Sequence, residues 1–352
     1  MLAAIRNKVF PRTGKPKIGP KARLATVLAL TLALATALAG CGAKDGDSKT
    51  TAAAGATSGA SAKPADKKTL RIGFQKYGTV NILKAKGDLD KALAAKGYTV
   101  TWTEFPGGPQ LLEALNVGSI DLGHTGEAPP IFAQAAGTPL VYLAHEPASP
   151  LSEAILVPAD SPIKTVADLK GKQVALNKGS NVHYLLVKQL EKAGLKYEDI
   201  KTVFLPPADA RVAFEQKNVD AWVIWDPFFA AAQTATKARI LADGKDTVAN
   251  NEFYLASRTF AEKNADAVQT VLDEIKKVDD WAKSNQNEVA KLLSPQLGID
   301  IPSLELASKR REYGILPIDD ALIADQQKIA DAFFKLELIP KQISIKDAVL
   351  KK

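Results

Sequence analysis

Three short stretches place glycine beside hydroxyl, amide or imidazole side chains directly after an apolar run. They are Gln75-Lys76-Tyr77-Gly78-Thr79, His124-Thr125-Gly126-Glu127 with Pro129-Pro130 beyond it, and Asn177-Lys178-Gly179-Ser180-Asn181. This pattern suits the junction where a strand feeds a helix. Glycine lets the backbone approach a ligand closely, and the first helical turn offers free N–H groups at the positive end of the helix dipole. Pro130 fits that turn, where no N–H is needed. Gln75, Gly78, Thr79, Thr125, Gly126, Ser180 and Asn181 are therefore candidate ligands for a small anion, held by amides and hydroxyls without relying on arginine, with Arg211 next in line should they fail. Taken singly, each junction also reads as an ordinary helix start. The run Asp220–Phe229 (DAWVIWDPFF) adds Trp225 or Phe228 for an apolar ligand tail and Asp226 near the cleft, while Trp222 reads as core.

Bond-breaking chemistry finds little support. His124, His145 and His183 lack metal-ligand spacing such as His-Glu-X-X-His, and no nucleophile elbow, P-loop or dinucleotide glycine motif occurs. No catalytic residue, metal site or cofactor is expected. Cys41 is the single cysteine, so intrachain disulfides, cysteine zinc sites and Cys-X-X-Cys redox motifs are excluded.

The elements that would position these residues alternate. Leu70–Phe74, Tyr98–Phe105, Ile120–Gly123, Leu140–Ala144, Ala154–Val157, Gln173–Leu176, Val203–Leu205 and Ala221–Trp225 read as strands separated by helical spacing. That alternation predicts parallel sheets covered on both faces. After about Arg258 the pattern is helical: Ala261–Asn285, Gln286–Leu293, Ile301–Tyr313 and Asp319–Leu336. At an offset of 99 residues, Ala114-Leu115 with Ile120-Asp121-Leu122 echoes Ala213-Phe214 with Val219-Asp220-Ala221, which fits two similar lobes.

The chain has 352 residues, 46 basic and 39 acidic. Seven of the basic residues and no acid lie in residues 1–40, which leaves the remainder balanced at 39 each. A general nucleic-acid-binding body is excluded, because phosphate contacts need an excess of positive charge. The basic stretch to Arg23 followed by apolar Leu24–Ala39 reads as a signal peptide over 1–40. Leu38-Ala39-Gly40-Cys41 is similar to a bacterial lipobox, which predicts a lipid on Cys41 and a flexible linker over 41–67 rich in Ala, Gly and Ser.

Four long blocks resemble the aliphatic sulfonate-binding proteins of ABC importers: RIGFQKYGTVNILKAKG (71–87), GGPQLLEALNVGSIDLGHTGEAPPIFAQAAG (107–137), ADLKGKQVALNKGSNVHYLLVKQLEKAGL (167–195) and LPPADARVAFEQKNVDAWVIWDPF (205–228), with FYLASRTF (253–260) similar to their return strand. Taurine- and nitrate-binding relatives share parts of these blocks. The resemblance implies an α/β fold of the two-lobed type II periplasmic binding protein architecture, with two crossover strands and a ligand cleft between the lobes. It implies lobe one at 68–157 plus 254–352 and lobe two at 158–253. The implied ligand is an alkanesulfonate, and the implied partners are an ABC permease, its ATPase and a membrane reached through the lipid anchor, for a monomer exported to the periplasmic or extracellular side. Many sulfonate-binding relatives carry an ordinary cleaved signal, from which this lipobox departs. The rival expectations are a receptor for taurine, nitrate or another small anion, a sensing lipoprotein without a permease, and an enzyme on the same fold such as a thiamine-pyrimidine synthase. Those enzymes are expected to carry a cysteine-rich motif, and this chain has no cysteine after 41.

Overall fold

The computed structural model describes residues 68–350. Ten strands follow in chain order: β1 (Lys68–Gln75), β2 (Tyr98–Phe105), β3 (Leu122–Gly126), β4 (Leu140–His145), β5 (Glu153–Val157), β6 (Gln173–Leu176), β7 (Lys201–Phe204), β8 (Ala221–Trp225), β9 (Arg239–Asp243) and β10 (Glu252–Ser257). They form two five-stranded sheets, ordered β2-β1-β3-β10-β4 and β7-β6-β8-β5-β9. Central strands such as β5 (EAILV) are buried at every position, because helices cover both faces of the sheet. In the second sheet Ile155, Val174, Leu176 and Val223 pack in one apolar cluster and Ala154, Leu156, Trp222 and Ile224 in another.

The sheets are mixed where alternation predicted parallel pairing throughout. β1 pairs in parallel with β2 and β3, and β6 with β7 and β8. The crossing strands β5 and β10 run antiparallel to both of their neighbours. Each is entered from the other lobe, so it needs no covering helix to reverse its direction. This also moves the lobe boundaries. Glu153–Val157 belongs to the second sheet, and Glu252–Phe253 to the first, so the crossovers lie at about residues 146–152 and 244–251 rather than at 157 and 253.

The echo between Asp121 and Asp220 is structural. The backbone N–H of Asp121 donates to the Arg71 carbonyl at 2.8 Å, and its carboxylate accepts from the Arg71 N–H at 2.9 Å. Asp220 repeats both bonds with Gln173, at 2.9 and 2.8 Å. In each lobe an aspartate fastens the helix-to-strand turn to the start of a neighbouring strand.

Two further expectations shift. β3 begins at Leu122, so His124, Thr125 and Gly126 lie in the strand rather than in the junction after it. The helix expected over Ile301–Tyr313 stops at Ser308. Asp300 caps its start by accepting from the Ser303 N–H at 2.9 Å, with Pro302 in the first turn. Its end is dictated by Arg311, which leaves the helix to meet the carboxylates of Glu146 and Glu252. The signal peptide and the Cys41 lipid site fall in residues 1–67, outside the described residues. No helix among the described residues is long and apolar enough to cross a membrane.

Candidate functional site

A small polar pocket, about 20 Å³, opens between the two sheets. The first lobe contributes Gln75, Lys76 and Tyr77 from the end of β1, His124 and Gly126 from β3, Glu252 from β10, and Arg311. The second contributes Asn181, at the start of the helix Asn181–Lys192, and Trp225-Asp226 at the end of β8. The carboxyl ends of parallel strands β1, β3, β6 and β8 thus converge there, as expected for open α/β sheets.

The chain after β1 is bent by two successive left-handed residues, Tyr77 (φ 74°) and Gly78 (φ 92°). Tyr77 is held in this unusual conformation by its N–H donating to Asn81 Oδ1 at 2.5 Å and its hydroxyl donating to Ser308 Oγ at 3.0 Å. A Cβ at Gly78 would stand 3.2 Å from Arg311 Nη2, so position 78 must lack one for both reasons.

The pocket's floor is an ion cluster. Arg311 Nη2 donates to Glu146 Oε2 and, at 2.6 Å, to Glu252 Oε2. His124 Nε2 lies 3.1 Å from Glu146 Oε1 and 3.2 Å from Glu252 Oε2. The Tyr254 hydroxyl donates to Glu146 Oε1 at 2.7 Å. Burial opposes charge on Glu146, but Arg311 and His124 outweigh it and bring its carboxyl down to about 2. Burial likewise opposes the His124 cation, and Glu146 and Glu252 outweigh it, so the imidazole titrates above its ordinary value. The spacing of His124, Glu146 and Glu252 could hold a metal ion. Arg311 Nη2 already bridges the two carboxylates, so a fixed cation stands where the metal would. Arg311 Nε is buried and has no acceptor within the protein. Arg310, next along, donates to Asp226 at 3.3 and 3.4 Å. Burial is the larger influence on Asp226 and pushes its carboxyl up to about 6.

An apolar cavity of about 280 Å³ continues from the pocket, sharing Gln75, Lys76 and Trp225 and adding Phe105, Pro106, Pro207 and Phe228. Of the residues expected from sequence, Gln75, Gly126, Asn181 and Trp225 line the polar pocket together. Gly78 abuts Arg311 beside it. Thr79, Thr125 and Ser180 do not line it, and their hydroxyls are otherwise engaged. Thr79 donates to Asp279 Oδ1 at 2.7 Å, Thr125 to the Gly126 carbonyl at 3.1 Å and Ser180 to the Asn177 carbonyl at 2.7 Å. The sequence points to amides and hydroxyls and names no arginine in the pocket itself. Arg311 is in the pocket, whereas Arg211 pairs with Glu215 on a surface helix. Glu146, Glu252 and Arg311 escaped sequence reasoning because they are scattered over 166 positions, and no local motif unites them.

Two lobes closing on a polar pocket with an apolar extension define a type II binding protein. Residues 94–289 match the family model described as NMT1/THI5 like. A putative aliphatic sulfonates-binding protein of Escherichia coli is 47% identical over 284 residues, which span 80% of this chain and 88% of that one. A Bacillus subtilis protein of the same description is 33% identical over 326 residues, 92% and 93% of the two chains. The solved alkanesulfonate-binding protein SsuA from Xanthomonas axonopodis pv. citri, bound to MOPS, superposes with a TM-score of 0.78 at 40% identity, covering 82% of this chain and all of that one. The chain belongs to the NMT1/THI5-like family and, within it, groups with the aliphatic sulfonate-binding proteins.

Proposed function

We propose that the protein captures aliphatic sulfonates outside the cytoplasm and delivers them to an ABC permease driven by its ATPase, without transforming them. The observation that carries this reading is Arg311, a buried guanidinium in the pocket whose Nε–H has no acceptor. An anionic oxygen would complete it, and His124 would add a second positive charge nearby. The pocket itself is too small for more than a compact head group. The cavity bounded by Phe105, Pro106, Pro207, Trp225 and Phe228 would take the apolar tail. That division favours alkane- or arylsulfonates over taurine, whose ammonium group would have to enter the apolar cavity, and over nitrate, which has no tail. Binding would hold the lobes together through contacts made by both.

The lipobox supports export and attachment through Cys41, with the body acting as a monomer on its linker. Calorimetry with butanesulfonate, taurine, nitrate and sulfate tests the ligand class. Butanesulfonate should bind at least tenfold more tightly than the other three. Arg311→Met should abolish that binding and destabilise the fold by about 3 kcal/mol, because the buried Glu146 and its neighbour Glu252 would be left with His124 as their one cationic partner. Equal affinities across the panel would overturn the reading.

A further inference from the structure

A groove of about 450 Å³ shares no lining residue with the polar pocket or its apolar extension. One wall is Pro129 and Phe132 on the helix Ala128–Ala135 of the first lobe, and the opposite wall is Leu205-Pro206 of the second, just after β7. Glu113, Asn116, Thr138 and Lys178 also border it, and two further polar side chains face each other there: Gln110, in the first turn of the helix Gly108–Asn116, and Asn177, just after β6. Gln110 Oε1 and Asn177 Nδ2 are both buried and neither has a hydrogen-bond partner. Asn177 is only 6% exposed. The two atoms flank one point, since a Cβ built on Gly107 would stand 3.1 Å from Gln110 Oε1 and nearer still to Asn177 Nδ2.

A buried donor and a buried acceptor left unpaired are unfavourable, and native proteins contain few of them. Exchanging O and N in either amide changes which side chain donates, while each amide still presents one group of each kind. We propose that this groove is a second ligand site, for a small neutral molecule carrying a carboxamide or lactam on an apolar body. Its carbonyl accepts from Asn177, its N–H donates to Gln110, and its body lies on Phe132, Pro129, Leu205 and Pro206. A carboxylate offers only acceptors and an ammonium only donors, so neither completes the pair. A ligand touching both walls favours the lobes in this apposition. By linkage, the amide and the anion in the polar pocket then raise each other's affinity by the same factor. Only this coupling rests on the sulfonate reading; the groove's own binding does not.

Benzamide is the probe, titrated into the full-length protein by calorimetry, with benzoate as the charged control. Benzamide should bind at least tenfold more tightly than benzoate. Asn177→Leu and Gln110→Leu should each weaken it at least tenfold while leaving thermal unfolding unlowered and butanesulfonate binding intact, since neither side chain lines the polar pocket. Saturating benzamide should tighten butanesulfonate. Failure of benzamide to bind, unchanged affinity in Asn177→Leu, or displacement of benzamide by butanesulfonate would each overturn the proposal. Butanesulfonate titrated into the same samples reports separately on the proposed function.

Discussion

His124 holds its proton more tightly than a free imidazole, because Glu146 and Glu252 together outweigh its burial. Its folded pKa is raised, so the stabilisation it contributes is fully present below the unfolded value of about 6.5 and is lost as pH rises through the raised one. Glu127 acts in the same direction over a lower window. Burial pushes its carboxyl from the ordinary 4.5 up to about 7, so stability falls as pH climbs between those values and the unfolded chain sheds its proton first. Glu127 does not line the anion pocket, whereas His124 and Asp226 both do, and each makes it more negative as it loses its proton. Butanesulfonate affinity should therefore drop roughly tenfold, about 1.4 kcal/mol, as His124 loses its charge on going from mildly acid to alkaline solution. Calorimetry across that range checks this. His124→Gln should bind weakly and show a shallower profile, and a wild-type profile no steeper than the variant's would remove His124 from anion recognition.

The elements were legible wherever hydrophobic period decided them. The strands β1, β2, β4, β5, β6 and β8 stand where their apolar runs are, and the long helix Ala265–Ser284 buries Val268, Val271, Ile275 and Val278 at helical spacing. What the sequence concealed came from tertiary demand. Arg310 and Arg311 read locally as the polar face of a helix, yet the buried Glu146, the partly buried Glu252 and Asp226 from the second lobe draw them out of it after Ser308. β9 was missed because its run, Arg239–Asp243, is short and half exposed. Gly126 reads as a point where the backbone comes close to a ligand, and in the structure it lines the pocket and comes close to the other lobe. Its φ is not left-handed, and what it allows is close passage of β3 against the first turn of the helix Asn181–Lys192. A Cβ there would stand 2.9 Å from Asn181 Cβ in the other lobe. Gly126→Val should therefore strain the apposed lobes by about 1–3 kcal/mol, up to a hundredfold in sulfonate affinity, while unliganded thermal stability changes little. Wild-type affinity in a folded Gly126→Val protein would show that the lobes need not meet here.

On the scale of the whole molecule, the described chain both enters and leaves through the first lobe. Lys68 opens β1, and Val349 bridges to Tyr142 of β4. Whatever precedes residue 68 therefore holds that lobe, and the second lobe hangs from two crossovers. If Cys41 carries the lipid, Cys41→Ser should move the protein from the membrane to the soluble fraction, or leave it unprocessed, with butanesulfonate affinity unchanged. A mature-length Cys41→Ser chain still sedimenting with membranes would assign the anchor elsewhere. The same arrangement has a mechanical consequence. The second lobe is an insertion with its own sheet and apolar clusters, bounded on both sides by the first. A force drawn between the two ends of the body is borne by β1, β4 and the helices around them. The inserted sheet carries no load until the first lobe has yielded, so a pull on those two ends leaves the fold of the second lobe undisturbed while the first still holds.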